Sequence, residues 1–372
     1  MRLNLASRYS LRTVGIDIGH DSVKVVEAEV GTRGLIIHSL GSAPTPPHSV
    51  SEGQVVSVEQ VSSVVRDLVA SAGVRTNQVI TSATGHSVIV RTIRLPRMSE
   101  ANLKRTIPWE AKKYFNFNPE DTVLECAVVD APDAGRAAEM DVLLVAAPKA
   151  LVDSRVATLE AAGLEPIVVD VGSLACLRAL VPQRRGGTNT MALVDLGGAY
   201  TEVTMAFNGR HAFQRTIPIG GNTITSTIAS TLNITHEQAA VAKHALTASD
   251  VEDAAPGIRD AASITRTIMD DLLREIRRTL NFYQSQFPEG SPEAGIDMVL
   301  LCGGGAGMPG IAGFFSRVLE LPVEVAHVRE AVVERVAPNI GELWSASAPM
   351  YVHAVGLAAW ELMSRRRVLA EA

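Results

Sequence analysis

Two turns that follow an aspartate with a glycine carry the clearest chemical signal in the sequence. Asp17 and Gly19 end one run of alternating apolar residues, and Asp195 and Gly197 end another in the second half of the chain. Such a turn can direct backbone N–H groups at an anion, and glycine lets the anion come close. The aspartate repels phosphate but can hold a hydrated divalent cation that bridges phosphates. Two such hairpins facing each other would clasp a metal-bound polyphosphate; the alternative is that each turn only caps a buried strand.

A run of three glycines offers a second contact for the same ligand. Gly303, Gly304 and Gly305 follow an apolar strand and precede a helix. Backbone without side chains can lie flat against an adenine ring or a ribose, although tight packing is the alternative. The sequence has no G-x-x-x-x-G-K-S/T motif and no G-x-G-x-x-G after an early strand. We therefore expect neither a P-loop nor a dinucleotide-binding fold.

Composition restricts the class of protein. The chain has 372 residues, 47% of them hydrophobic, and its 34 Lys and Arg against 40 Asp and Glu give a net charge of -6. This balance, with only 4% aromatic residues, argues against broad nucleic-acid binding.

No apolar run is long enough to span a bilayer and no signal peptide is recognisable, so we expect a cytoplasmic protein. Cys126, Cys176 and Cys302 are far apart among apolar residues, which predicts core positions and no metal site made only of protein ligands.

The elements that must position these motifs form a weak internal duplication. Residues 14–43 and 191–221 both have the pattern strand, glycine-containing turn, strand, turn, strand. Residues 182–190 concentrate turn formers and predict the boundary between two related halves. Residues 77–162 differ in character and predict a small inserted αβ module. Apolar residues every three or four positions from Ile264 to Tyr283 predict a long amphipathic helix.

The motifs in this order resemble a known superfamily. The segments DIGHDSVK, VDLGGAYTEV, IPIGGNTIT and LLCGGGAGMPGI are similar to the phosphate, connecting and adenosine segments of actin-like ATPases. The segments TIPWEAKKYFNFNPEDTVLE, EIRRTLNFYQSQF and YVHAVGLAAW resemble, within that superfamily, the PilM family of type IV pilus assembly proteins, relatives of the FtsA family. The resemblance extends from about Thr13 to Met363.

The resemblance implies a fold and a ligand. The fold would be α/β, a two-lobed actin-like ATPase fold with an inserted small αβ subdomain. The first lobe would span 13–185, with the insertion at about 77–162. The second lobe would span 190–345, and a C-terminal helix at 346–364 would return to the first lobe. ATP with Mg²⁺ would bind between the lobes, and hydrolysis would be slow at most, because no general base is evident.

The resemblance also implies the residues of the nucleotide site. They are Asp17, Gly19, Ser22 and Lys24 in the first phosphate loop, Asp195, Gly197, Gly198 and Thr201 in the second, Gly220, Gly221 and Lys243 beside the nucleotide, and Gly303, Gly304 and Gly305 over the nucleoside. Asp17 and Asp195 would orient Mg²⁺ through water. Two positions depart from the family: Ala240 replaces a frequent ribose-binding glutamate, and His20 replaces a small or hydroxylated residue. Arg278 is a candidate for the adenine rim.

The resemblance further implies a protein partner. Members of the PilM family are adaptors that bind the N-terminal cytoplasmic tail of the inner-membrane protein PilN. Here the groove would include Ile89, Arg91, Ile93, Trp109 and Phe115. The protein would then lie at the inner membrane only through its partner, near pilus motor or platform components. The sequence leaves open an FtsA-like filament-forming membrane tether, an actin-fold small-molecule kinase, a scaffold that no longer binds nucleotide, and service in a secretion or DNA-uptake machine.

Overall fold

Alternating apolar residues form the strands of two similar sheets, and apolar residues at helical spacing form the helices that cover them. The computed structural model describes residues 12–114, 118–129, 138–180, 189–252, 259–288, 290–328 and 332–360. The strands are β1 (Arg12–Ile18), β2 (Ser22–Val30), β3 (Leu35–Pro44), β4 (Val50–Ser51), β5 (Gln54–Val55), β6 (Gln78–Ala83), β7 (Ile89–Pro96), β8 (Thr122–Val128), β9 (Glu139–Pro148), β10 (Glu165–Val171), β11 (Thr190–Leu196), β12 (Thr201–Phe207), β13 (Arg210–Ile217), β14 (Met298–Cys302), β15 (Val323–Val325) and β16 (Val333–Val336). The helices are α1 (Val58–Ser71), α2 (Glu100–Ala111), α3 (Lys149–Ala161), α4 (Gly172–Leu180), α5 (Gly221–Leu232), α6 (His236–His244), α7 (Ala248–Glu252), α8 (Arg259–Gln284), α9 (Ile311–Leu319) and α10 (Gly341–Ala358), with 3₁₀ turns at Pro292–Ala294, Gly304–Gly307 and Pro338–Ile340.

The second large sheet repeats the topology of five of the six strands of the first, which confirms the predicted duplication. The first sheet has the strand order β10-β6-β1-β2-β3-β16, and the second has the order β13-β12-β11-β14-β15. In each sheet three consecutive strands form an antiparallel meander. The first strand of each meander also pairs in parallel with a later strand, β1 with β6 and β11 with β14. The predicted α/β class with two related lobes is therefore confirmed.

Helices pack on both faces of the sheets and also join them. Helices α1 and α3 cover one face of the first sheet and α10 covers the other, while α5, α8 and α9 pack against the second sheet. Between the sheets, Leu177 of α4 packs with Leu300 of β14 and Val352 of α10. Gly15 and Gly356 allow α10 to come this close, because a Cβ at either position would overlap a neighbouring backbone carbonyl. The two lobes are thus held together through α4 and α10.

The predicted insertion at 77–162 divides into two parts in the structure. Strand β6 belongs to the first large sheet, where it pairs with β1 and β10, and helix α3 packs on that sheet. The separate module consists of the sheet β7-β9-β8 with helix α2. Strand β6 is buried along almost its whole length, as expected for a strand in the interior of a sheet covered on both faces. The module therefore begins later and ends earlier than its composition indicates.

The C-terminal helix also differs in extent from the prediction. Helix α10 begins at Gly341, and Pro349 lies inside it. The resemblance implies a helix that begins at 346, so the helix begins five residues earlier than expected. The chain rejoins the first sheet through β16, which pairs with β3, so it returns before residue 346. Within the described residues, no helix combines the length and the apolar character needed to cross a bilayer.

Candidate functional site

The two aspartate–glycine turns face one cavity of about 540 Å³ between the large sheets. The first turn joins β1 to β2, the second joins β11 to β12, and the triple glycine follows β14. The residues predicted for the two phosphate loops, the positions beside the nucleotide and the triple glycine line this cavity: Asp17, Gly19, Ser22, Lys24, Asp195, Gly197, Gly198, Thr201, Gly220, Gly221, Lys243, Gly303, Gly304 and Gly305. A cavity of this size is typical of small-molecule sites.

Asp17 lies at the buried end of β1 between two basic side chains. Lys24 Nζ is 3.1 Å from Asp17 Oδ2, and His353 Nδ1 is 3.3 Å from Asp17 Oδ1. Burial alone would raise the pKa of Asp17, but Lys24 and His353 outweigh burial and lower it. Burial would likewise lower the pKa of Lys24, but Asp17 and then Asp195 raise it. The geometry therefore keeps Asp17 and Lys24 as an ion pair.

Asp195 has a different environment, although it occupies the corresponding strand end. Burial raises the pKa of Asp195; His353 opposes this shift and the Asp17 carboxylate adds to it. The residue opposite Asp195 in the strand register is Glu202. Burial and the nearby Asp195 raise the pKa of Glu202 to about 8, and Gln214 Nε2 donates a hydrogen bond to Glu202 Oε2 at 3.0 Å. Glu202 therefore holds a proton at neutral pH, a role that no motif in the sequence indicates.

Both turns are closed by the same hydrogen bond. The backbone N–H of Gly19 donates to the carbonyl of Ser22 at 3.1 Å, and that of Gly197 donates to the carbonyl of Tyr200 at 3.2 Å. The N–H groups of Gly19 and Gly197 therefore donate within their own turns. The sequence analysis expected such N–H groups to point at a bound anion, and these two do not. The glycines are still required, because a Cβ at Gly19 or Gly197 would come 2.7 Å from the same carbonyl oxygen.

The triple glycine presents bare backbone to the cavity. Gly303 has a φ of +83°, which glycine adopts at little cost, and a Cβ there would overlap Asp195 Oδ1. Gly304 lies in the 3₁₀ turn, and a Cβ there would have no atom within 4 Å. The protein's own packing thus does not require glycine at 304, so a flat ligand has room to lie against this residue.

The two lobes touch across the mouth of the cavity. Asn222 Nδ2 donates to Asp21 Oδ1 at 2.5 Å and lies 3.3 Å from His20 Nδ1. Asn222 also donates its backbone N–H to the carbonyl of Gly198 at 2.8 Å. On the same side, Lys243 Nζ donates to the carbonyl of Gly221 at 3.2 Å. His20, which departs from the family, is therefore part of the contact between the two turns.

An apolar wall on the second-lobe side of the cavity was not assigned from the sequence. It consists of Ile224, Leu246, Ile268, Met269, Leu272 and Met308. The periodicity of α8 predicts its apolar stripe, but only the packing of α8 on the sheet decides which turns of that stripe face a cavity. His353, likewise missed, comes from α10 and has no local motif. Arg278, by contrast, pairs with Glu275 on α8 and neither it nor Ala240 lines the cavity.

The predicted groove residues are only partly brought together. Ile93 is buried in the core of the small module with α2, so it supports the module instead of contacting a partner. Ile89 and Arg91 are exposed, and the Arg91 guanidinium lies 4.8 Å from the centroid of the Tyr114 ring. The side chain of Trp109 is 70% exposed, with Lys112 Nζ 5.1 Å from its ring centroid. Phe115 lies outside the described residues.

Comparisons with known proteins agree with the architecture. Among proteins of known function, cell division protein FtsA of Neisseria meningitidis serogroup B is 24% identical over 353 residues, covering 85% of this chain and 83% of FtsA. Among solved structures, MreB5 of Spiroplasma citri bound to AMPPNP matches with a TM-score of 0.53 and 13% identity, covering 98% of this chain and 100% of MreB5. At this identity the match supports the actin-like fold alone.

A further solved structure is much more similar. A chain of a PilM–PilN type IV pilus biogenesis complex matches with a TM-score of 0.79 and 26% identity, covering 94% of this chain and 98% of that chain. The sequence model of the family described as type IV pilus assembly protein PilM matches residues 15–361. The two-lobed, actin-like fold and the family resemblance predicted from the sequence are therefore confirmed, and the chain belongs to the PilM family of type IV pilus assembly proteins.

Proposed function

We propose that this protein binds ATP with Mg²⁺ between its lobes and binds the N-terminal cytoplasmic tail of a PilN-like inner-membrane protein, as an adaptor in type IV pilus assembly. The observation that carries the proposal is the convergence of both aspartate–glycine turns and the triple glycine on one cavity. The protein would be peripheral to the inner membrane through that partner. No catalytic residue is assigned, and an adaptor needs only a nucleotide-dependent difference between lobe positions.

The lining of the cavity suits the parts of a nucleotide. The apolar wall from α5 and α8 provides a surface for an aromatic base, and Gly304 leaves room for a flat ring or a ribose. Lys24 and Lys243 also line this cavity and bring positive charge to it. A cavity that has both charged groups and an apolar wall suits a triphosphate joined to a base.

The donor set also fits Mg²⁺, which prefers oxygen ligands and keeps several of its waters. Asp17 already contacts Lys24 and His353, so it would hold the ion through water. The Asp195 carboxylate lies beside the bare backbone of Gly303, with Asp17 near enough to raise its pKa. A bound cation would supply charge that neutralises Asp195 and the phosphates together.

The nucleotide site is tested by calorimetric titration with Mg²⁺ and ATP. The Asp195→Asn variant removes the charge with little change in shape and should weaken binding at least tenfold, about 1.4 kcal/mol. The matched control is Asp67→Asn, which changes an exposed aspartate on α1 outside the cavity and should bind like the wild type. Equal affinity in all three proteins would refute the site.

The partner part of the proposal rests on the similarity to the PilM–PilN complex and on one surface of the small module. Ile89, Arg91 and Tyr114 form an exposed patch where β7 passes the end of α2. Such a patch combines apolar and aromatic surface with a cation. A short tail with apolar side chains and an acidic or carbonyl group beside them would match it.

The partner surface is tested with a labelled peptide carrying the cytoplasmic tail of the PilN-like protein from the same organism. Fluorescence anisotropy should register at least fivefold weaker binding for Arg91→Ser and for Tyr114→Ala. The control is Arg105→Ser, which removes another exposed arginine, on α2, and should have no effect. If the tail binds all four proteins equally, it docks elsewhere.

A further inference from the structure

We propose that Cys176, Cys302 and Asp195 form a binding site for one thiophilic divalent cation such as Zn²⁺. The Sγ atoms of the two cysteines and a carboxylate oxygen of Asp195 all lie within 4.8 Å of one another. No metal-binding motif in the sequence predicts this cluster, because the cysteines are far apart along the chain. From the sequence they were expected to be core residues.

Three separate elements bring the ligands together. Cys302 ends β14 and is the register partner of Asp195 on the adjacent strand β11. Cys176 comes from α4, which packs between the lobes, and lies with Cys302 in the same core cluster. The cluster is therefore fixed by the sheet register on one side and by packing between the lobes on the other.

The separations are close to those that a tetrahedral ion requires. Zinc–sulfur bonds of about 2.3 Å place two sulfurs about 3.8 Å apart, and zinc–oxygen bonds of about 2.0–2.2 Å place the oxygen slightly closer. The ligand atoms, all within 4.8 Å, need to contract by at most about 1 Å to reach these values. Rotation of the cysteine side chains can supply such a shift without moving the backbone.

The site can be reached from the cavity between the lobes. Cys176, Cys302 and Asp195 all line the cavity between the lobes, so the ion can enter from it and a water molecule can complete the tetrahedron. Sites with three protein ligands and one open position are a common form of zinc site. On binding, the two thiols become thiolates and release their two protons to solvent, and Asp195 binds as a carboxylate.

The ligand set selects the class of cation. Two thiolates favour Zn²⁺, Cd²⁺ or Co²⁺ over Mg²⁺, which prefers oxygen alone. Asp195 is also the residue assigned to Mg²⁺ and ATP, so a thiophilic ion would compete with the nucleotide; this consequence rests on the proposed function. The ion-binding site itself does not, because its ligands can be loaded without nucleotide.

The test titrates the purified, reduced full-length protein with Co²⁺ and then Zn²⁺ in the absence of nucleotide. The wild type should give one equivalent of Co²⁺ with a sulfur-to-cobalt charge-transfer absorption that Zn²⁺ abolishes. Cys176→Ser and Cys302→Ser should each weaken binding at least tenfold and reduce that absorption. Cys126→Ser, which changes the cysteine of the small module, should leave both unchanged.

Two further measurements separate the possible outcomes. If a serine variant fails to fold by circular dichroism, Cys176→Ala and Cys302→Ala repeat the titration with apolar replacements. Wild-type protein that gives no sulfur-to-cobalt absorption, or Cys176 and Cys302 variants that bind Co²⁺ as tightly as the wild type, would overturn the site. ATP affinity is then measured with Zn²⁺ present and with Zn²⁺ chelated. If Zn²⁺ competes with the nucleotide, ATP will bind more weakly when Zn²⁺ is present. If ATP does not bind even after Zn²⁺ is chelated, that result contradicts the proposed nucleotide function but not the metal site.

Discussion

Glu202 faces Asp195 across strands β11 and β12, in the register position that Lys24 holds opposite Asp17 across β1 and β2. The duplicated hairpins thus share a backbone but differ in charge. In the first, Lys24 keeps Asp17 ionised; in the second, burial and Asp195 keep a proton on Glu202. The repeated hairpins therefore differ in their electrostatics, although their backbones correspond.

Glu202 should make folding stability depend on pH. Its folded-state pKa is raised from 4.5 to about 8, so between these values the folded protein binds a proton that the unfolded chain releases. Stability from this group is therefore present at low pH and falls as pH rises through that window, by up to about 1.4 kcal/mol per pH unit. From about pH 5.5 to about pH 7.5, denaturant unfolding should register a loss of about 2 kcal/mol relative to Glu202→Gln.

The control for this experiment is Glu237→Gln, which changes an exposed glutamate on α6. Its stability relative to the wild type should be flat across the same pH range. A wild type whose stability runs parallel to that of Glu202→Gln over the whole range would contradict a protonated Glu202.

The ion pair of Lys24 and Asp17 should contribute strongly to stability because both side chains are largely buried. Lys24→Met removes the lysine that lies 3.1 Å from the buried Asp17 carboxylate, and we expect a loss of about 3 kcal/mol in the free energy of unfolding. The double variant Asp17→Asn/Lys24→Met should lose less free energy of unfolding than the two single variants lose together. The exposed pair of Lys104 and Glu100 is the comparison, and Lys104→Met should leave stability unchanged. Strict additivity in the buried pair would mean that the two groups do not interact.

Arg155 should act as a positioning residue for the first turn. It is fully buried on α3, and its Nη2 donates to the carbonyl of Ile18 at 3.3 Å and to Thr84 Oγ1 at 3.0 Å. It also donates to the carbonyl of Gly53, at 2.7 Å from Nη2 and 3.0 Å from Nε. Arg155→Met leaves these acceptors unpaired and should lower the free energy of unfolding by about 3 kcal/mol.

The positioning role of Arg155 has two checks. Arg155→Lys should not restore stability, because an ammonium group cannot reproduce the planar fork of donors. Arg66→Met, which removes an exposed arginine that donates to the carbonyl of Ala161 at the end of α3, should cost less than about 1 kcal/mol. If the Arg155 and Arg66 variants unfold at the same denaturant concentration, the buried network is not important for stability.

The sequence was sufficient to predict those features of the site that depend on residues close together in the chain. The aspartate–glycine turns lie at strand ends, where residue type and alternation reveal them, and all of the residues predicted from them line the cavity. The sequence could not predict the side-chain contacts that form between elements far apart in the chain. His353 reaches Asp17 from α10, and Cys176 reaches Cys302 from α4. The register that places Glu202 beside Asp195 follows from the hairpin, but its burial follows from the helices around it. The extents of the insertion and of α10 differed for the same reason, since sheet pairing decides them.

The most direct test of the central claim, that a nucleotide lies in the cavity between the lobes, is the affinity of Gly304→Leu for ATP with Mg²⁺. A Cβ at 304 meets no protein atom within 4 Å and Gly304 lines the cavity, so a leucine there would take up ligand space and we predict at least tenfold weaker binding with an unchanged melting temperature. Gly341→Leu is the matched control, because Gly341 is equally open and lies outside the cavity; it should bind like the wild type. Wild-type affinity in Gly304→Leu would contradict the account.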